Sequence, residues 1–275
     1  RSIAATALNG GVLTAATDIV YEETSKEYKF DPSIYEKRCY FGFGKANGEE
    51  KLQLGPNITE WPEIPALKDN LLLRLDAVIH DPVTTTDELI PSGDASSYRS
   101  NPMKLATFAL SRREPEYVSR TKVTRSLTKD DVKDMLELLG AEGDVQIGSV
   151  IFANKPGDGS AREQAASCQR ILGGCANICY EFATKRYRSN CINWGMLPFT
   201  IAQDVGFDYA PGDFVYVPDV RNAVLDGRMK LDAKVVSNGT VSDIELSLDS
   251  LTDEEKQIIA DGCLMNYYAA EKKRG

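Results

Sequence analysis

Two nearly continuous apolar runs stand out along the chain, Leu71 to Ile79 and Val145 to Ala153. The first, apolar stretches broken by alternation, predicts a strand, and the second predicts a buried strand. Asp213 to Val217, Met229 to Val236 and Val241 to Leu246 alternate apolar with polar positions and predict strands with one wet face. Met196 to Ile201 predicts a further short strand. Helical periodicity predicts helices over Leu127 to Leu139, over about 162–171, continuing over 175–187, and from Thr252 to about Tyr268. Thr128 with Asp131 and Thr252 with Glu255 have the spacing of capping boxes. Residues 2–16 read as a small-residue helix interrupted at Gly10-Gly11. Residues 18–72 read as a polar connector, and 84–100, rich in Thr, Ser, Pro and Gly, as a loop. Strand–loop–helix units beside antiparallel-looking strands predict an α/β layered domain.

Composition narrows the function classes. With 32 basic and 41 acidic residues the net charge is −9. That balance argues against nonspecific nucleic-acid binding but leaves room for a small basic pocket. No apolar stretch reaches about 18 residues, so no membrane span is expected. The expected location is cytoplasmic. The chain starts at Arg1 inside a helical run, which reads as a fragment of a longer polypeptide. Of the six cysteines, Cys168, Cys175, Cys179 and Cys191 cluster in sequence, and Cys39 and Cys263 stand apart. None of the spacings matches Cys-x-x-Cys, so buried free thiols are expected and no metal site. His80, the sole histidine, closes the first strand, which leaves no His-based triad within the chain.

The candidate chemistry lies at Gly157-Asp158-Gly159-Ser160-Ala161-Arg162-Glu163-Gln164-Ala165-Ala166. Flexible residues lead into a serine, and an arginine follows as a helix begins. A helix start favours anions, and arginine grips carboxylates with a two-pronged fork. Read from the residues alone, Ser160 is an N-cap, Arg162 a surface arginine paired with Glu163 or Asp158, Arg99 a solvated loop charge and Asp87 a turn-capping carboxylate. Lys185-Arg186-Tyr187-Arg188 reads as a solvated helix end, and Met265 with Tyr267-Tyr268 as a core stripe.

The same string resembles the Gly-Glu-Gly-Ser-Ser-Arg-Glu-His-Ala-Ala signature of aconitase-type hydro-lyases, in their C-terminal swivel domain. Other pieces follow in family order: Thr85-Thr86-Asp87 with Arg99 twelve residues on, Leu172-Gly173-Gly174, and Arg188-Ser189-Asn190 through Gly195-Met196-Leu197-Pro198. The resemblance covers roughly residues 75 to 220. It implies the swivelling β/β/α three-layer fold, with 73–275 as the swivel domain and 1–72 as the end of a preceding domain plus connector. It further implies that Ser160 is the base that removes a proton next to a carboxylate. Arg99 and Arg162 would bind substrate carboxylates, with Asp87, Gly159 and Ala161 in support and Lys155 as a nearby cation. The implied cofactor is a 4Fe-4S cluster held by upstream domains, whose open iron binds the substrate hydroxyl. The partners implied are those domains and a small hydroxy-di- or tricarboxylate, and the chain alone is expected to be inactive. Ala161, Gln164 and Glu88 depart from the family pattern. They favour the alternative of a non-catalytic carboxylate-binding or regulatory module, and Glu88 argues against citrate specifically.

Overall fold

The computed structural model describes residues 1–18, 29–38, 44–49, 51 and 53–274. Cys39 and part of the 18–72 connector lie outside them. The chain divides into two compact units, Arg1–Gln53 and Leu54–Gly275. In the first, α1 (Ser2–Leu8) ends well short of residue 16, where the amides of Asn9 and Gly11 fold back onto Ala5 and Thr6. Helix α2 spans Ser33–Arg38.

The second unit opens with β1 (Asn70–Ile79) and β2 (Thr84–Thr85). Short helices α3 (Thr86–Leu89) and α4 (Ser92–Ala95), a 3-10 turn (Ser96–Tyr98) and α5 (Pro102–Ala106) follow. Next come α6 (Tyr117–Ser126), α7 (Lys133–Leu139), β3 (Val145–Ala153), β4 (Pro156–Asp158) and α8 (Arg162–Ile171). Then follow β5 (Gly174–Cys179), α9 (Lys185–Asn193), β6 (Leu197–Thr200) and β7 (Phe214–Val217). The chain ends with α10 (Val220–Asp226), β8 (Lys230–Ser237), β9 (Thr240–Ser247), α11 (Asp253–Asp261) and α12 (Leu264–Arg274). No helix among the described residues is long and apolar enough to cross a membrane.

Seven strands close into a barrel in the order β1-β3-β5-β6-β9-β8-β7. The β1, β3, β5 and β6 neighbours are parallel, and the rest antiparallel. The fold is therefore mixed α/β with a sheet-dominated core. The two kinds of strand explain the sequence pattern. β1, β3 and β5 are buried on both faces, inward among barrel residues such as Leu71, Leu73, Phe152 and Ile178 and outward under helices. Parallel strands covered on both sides read as unbroken apolar runs, whereas β8 and β9 wet one face and alternate.

Several expected boundaries change for local reasons. Residues 175–184 are not helical: Gly173 turns the chain at φ 94, Gly174–Cys179 becomes β5, buried throughout, and helix resumes only at Lys185. Thr128 and Asp131 do exchange their hydrogen bonds, but they close a turn, and regular helix starts only at Lys133. The Thr252–Glu255 box caps α11 as expected, yet the helix breaks at Gly262 before α12. Met265 and Tyr268, expected in the core, are exposed, while Tyr267 is half-buried. The 84–100 loop contains short helical turns, α3 among them, with a capping box between Thr85 and Glu88.

A bulge in β1 sets one buried charge. The register with β3 shifts between Leu75 and Ala77, so Leu71, Leu73 and Leu75 point inward and Ala77 and Ile79 outward. Asp76 sits at the shift, fully buried, bonded to Arg74 Nη1 at 2.7 Å and to Thr124 Oγ1 on α6. Burial raises its pKa above the usual carboxylate value, outweighing the lowering by Ser149, Thr124 and Arg74. The folded chain thus holds this proton more tightly than the unfolded chain. Its stabilisation is complete below the unfolded value and is lost as pH rises through the folded one. The melting temperature of the wild type minus that of Asp76→Asn is expected to fall as pH rises above about 4, the ordinary carboxylate value. A difference that is flat or rises over that range contradicts this account.

Candidate functional site

The Ser160 loop is shaped by what surrounds it. β3 leaves the barrel at Ala153, and β4 pairs in parallel with β2, laying 156–158 alongside Thr84–Thr85. Gly157 (φ 96) passes against the Tyr187 ring, and Gly159 (φ 123) against Thr86. A side chain at either position meets both a disfavoured backbone and an occupied space. Tyr187 is itself fixed: its hydroxyl accepts from Gln169 Nε2 at 2.8 Å and donates to Asn177 Oδ1 at 3.4 Å. Asn177 Nδ2 closes the ring on Gln169 Oε1 at 3.1 Å. This buried triangle joins the end of α8 to β5 and to the first turn of α9.

Ser160 is exposed, and its hydroxyl has no hydrogen-bond partner among the described residues. It is not the N-cap of α8; Ala161 is, and it has no side chain to cap with. The amides of Arg162, Glu163 and Gln164 therefore face outward uncapped, since the first internal bond is Ala165 N to Ala161 O at 3.0 Å. Arg162 is half-buried and forms no ion pair among the described residues, and its Nε is shielded from solvent without a partner. The expected pairing with Glu163 or Asp158 is absent there. Glu163 instead accepts from Trp194 Nε1 at 3.1 Å.

Helix α9 starts beside this loop. Thr184 caps it through Tyr187 N, and its first turn carries Lys185 and Arg186 and no acid. These residues begin a helix rather than end one, which corrects the sequence expectation. Cations there work against the helix dipole at a cost of roughly 0.3–1 kcal/mol each. Ser160, Arg162 and Glu163 join Lys185, Arg186, Ser189 and Asn190 around one open cavity of about 430 Å³. Neighbouring cations are already engaged: Lys155 by Glu181 at 2.9 Å, Arg188 by Asp249 at 3.4 Å, Arg112 by Asp87 and Asp94. Lys185 and Arg186 have no ion pair among the described residues.

The other expected site residues fall differently. Arg99 is exposed at the end of the 3-10 turn and does not line the cavity. Asp87 bonds Arg112 at 3.3 Å and accepts from the Ser92 amide and hydroxyl, so it orders α3 and α4. Lys155 lies outside the cavity, engaged by Glu181. The link between the Thr-Thr-Asp run and the serine loop is backbone pairing and the Thr86–Gly159 contact. Glu88 is used locally, closing the α3 capping box on Thr85 at 2.7 Å. His80 packs on Phe152, ring centroids 5.6 Å apart. The five described cysteines are buried. Burial pushes Cys168 and Cys179 up strongly and Cys191 up to about 12.

Residues 105–204 match the family model of the aconitase C-terminal domain. Over those residues the chain is similar to aconitase-type hydro-lyases. It is 31% identical over 126 residues to an aconitate hydratase A of Bradyrhizobium diazoefficiens, spanning 44% of this chain and 14% of that protein. A solved 3-isopropylmalate dehydratase (leuD) of Methanocaldococcus jannaschii is similar over 75% of this chain and 99% of its own, with 22% identity and a TM-score of 0.49. The family match runs through α8, β5 and α9, so it covers Ser160, Arg162, Lys185 and Arg186.

Proposed function

We propose that the chain is the C-terminal swivel part of a hydro-lyase acting on a hydroxy-di- or tricarboxylate, with the barrel and its outer helices as the three-layer β/β/α arrangement. One observation carries this reading. The Ser160 hydroxyl is not used as a cap and stands beside Arg162 at the uncapped start of α8, with two more cations facing it. An alcohol is a weak base in water. Surrounding cations and free amides favour its alkoxide and also the charge that builds on a carboxylate as the adjacent carbon loses its proton. In this reading Arg162 grips a carboxylate and Ser160 Oγ accepts the proton from the neighbouring carbon. The electron pair left behind forms the double bond as the C–O bond breaks and the hydroxyl leaves with its bonding pair; a solvent proton converts it to water, and Ser160 returns its proton to solvent, so the net loss is one water. Arg99, from its exposed turn, binds a carboxylate only when a further part of the enzyme closes over it.

No group of three His, Cys, Asp or Glu side chains among the described residues is placed to hold a metal ion. These residues do not fit a 4Fe-4S cluster. On this reading a cluster of the family's kind is held by another part of the enzyme.

The test is reconstitution. The chain alone is expected to show no turnover of citrate, isocitrate or isopropylmalate. Combined with cluster-bearing domains of an aconitase-type hydro-lyase, it is expected to hydrate and dehydrate at least one hydroxy-di- or tricarboxylate. Turnover by the chain alone contradicts the reading. Carboxylate binding without turnover in the assembled protein favours the non-catalytic binding module instead.

A further inference from the structure

The serine loop carries two glycines in the left-handed region, Gly157 (φ 96) and Gly159 (φ 123), so its own backbone does not fix where Ser160 stands. Two neighbouring segments fix it. On one side β2 pairs with β4, and Thr86 packs on Gly159. On the other side the turn before α9 supplies three contacts. Ala183 N donates to Pro156 O at 3.0 Å, the Tyr187 ring lies against Gly157, and Thr184 Oγ1 donates to Gly157 O at 3.2 Å. Among the described residues, Thr184 is the one side chain hydrogen-bonded to the backbone of residues 156–160. The same hydroxyl oxygen accepts from Tyr187 N at 3.2 Å, which caps α9. One hydroxyl thus ties the start of a helix to the loop that ends in Ser160.

We propose that Thr184 is a positioning residue for Ser160: its donated hydrogen bond holds Gly157, and through it the serine hydroxyl, where Oγ reaches the substrate proton. The proposal rests on the preceding reading for what Ser160 does, and on the geometry alone for what holds it. Proton transfer between positioned groups is sensitive, since a misplacement of about 1 Å costs about 10²-fold in rate. The two bonds of the Thr184 hydroxyl are separable by substitution. The cap needs only an acceptor oxygen, whereas the tie to a carbonyl needs a proton to donate. An ionised aspartate at this position keeps the cap and loses the tie, serine keeps both, and valine loses both.

In the assembled enzyme, Thr184→Asp is expected to lower kcat about 10²-fold, and Thr184→Ser to leave it near the wild-type value. The charge that aspartate adds beside Lys185 and Arg186 acts on an anionic substrate through KM, so kcat is the quantity compared. Ser160→Ala combined with Thr184→Asp is expected to lose no more kcat than Ser160→Ala alone, because the tie serves that one hydroxyl. A merely structural role multiplies the two losses instead. Amide exchange of β4, measured on the chain by itself, reads the tie without turnover. Thr184→Asp and Thr184→Val are expected to speed it about fivefold, the worth of one net hydrogen bond, and Thr184→Ser to leave it unchanged. The inference is overturned if Thr184→Asp keeps the wild-type kcat while Ser160→Ala loses it, or if Thr184→Ser is as slow as Thr184→Asp. It is equally overturned if the two losses multiply or if exchange of β4 is the same in all four proteins. Full activity of Ser160→Ala removes the serine from the chemistry, and the exchange rates alone then decide whether Thr184 holds the loop.

Discussion

Ser160→Ala in the assembled enzyme is expected to lower kcat by about 10³-fold, within the range that one positioned proton acceptor supplies. KM is expected to change little, because on the proposed reading Arg162 and the α8 amides still hold the substrate carboxylate. The variant is a clean one. The Ser160 side chain is exposed, caps no helix and has no hydrogen-bond partner among the described residues, so its loss leaves the fold intact. Equal melting temperatures for the two proteins check that. Steady-state rates on the substrate identified by reconstitution then decide the role. Loss of kcat with KM preserved assigns the hydroxyl to the chemical step. A rise in KM at constant kcat makes it a binding group only. A fully active variant removes Ser160 from the mechanism, and the anion-favouring start of α8 would then serve binding alone.

The strands were legible wherever burial leaves a simple trace. β3 matches the expected Val145–Ala153 run residue for residue, and β8 and β9 follow the alternation imposed by one wet face. Helix α6 was not legible, because the face it buries is Tyr117, Thr121 and Thr124, set over buried Asp76. A helix that packs hydroxyl groups against a polar cluster shows no apolar stripe. β5 was misread for a related reason. Its small residues and Asn177 suit a helix in sequence, and only the turn at Gly173 and the Gln169–Tyr187–Asn177 triangle make it a strand. At the site, Ser160 and Arg162 stood out from their local pattern. Lys185 and Arg186 did not, since a basic pair in sequence is ordinarily a solvated surface. The available signal was Thr184 ahead of them: a capping residue followed by two cations marks a helix start with the wrong charge for its dipole.

Arg170→Ala is expected to cost about 3–4 kcal/mol of folding stability. Arg170 lies near the end of α8 and is only 7% exposed. It meets no carboxylate within ion-pair distance among the described residues. Its guanidinium instead joins three distant segments, donating to Gly174 O at 3.1 Å, Pro65 O at 3.2 Å and Gly262 O at 3.3 Å, with Cys175 Sγ at 3.4 Å. Truncation leaves buried carbonyls at Gly174 and Gly262 unpaired and opens a gap between them. Arg170→Lys is expected to recover less than half of the loss, because one ammonium does not span acceptors that the planar fork reaches together. Denaturant midpoints at unchanged slope measure both effects. The consequence reaches the site, since Arg170 anchors one end of α8 and Arg162 starts it, about 12 Å away along the axis. A stability loss below about 1 kcal/mol for Arg170→Ala means that water replaces the guanidinium at these carbonyls. In that case the packing of α8 against the barrel, not this one side chain, fixes the position of the serine loop.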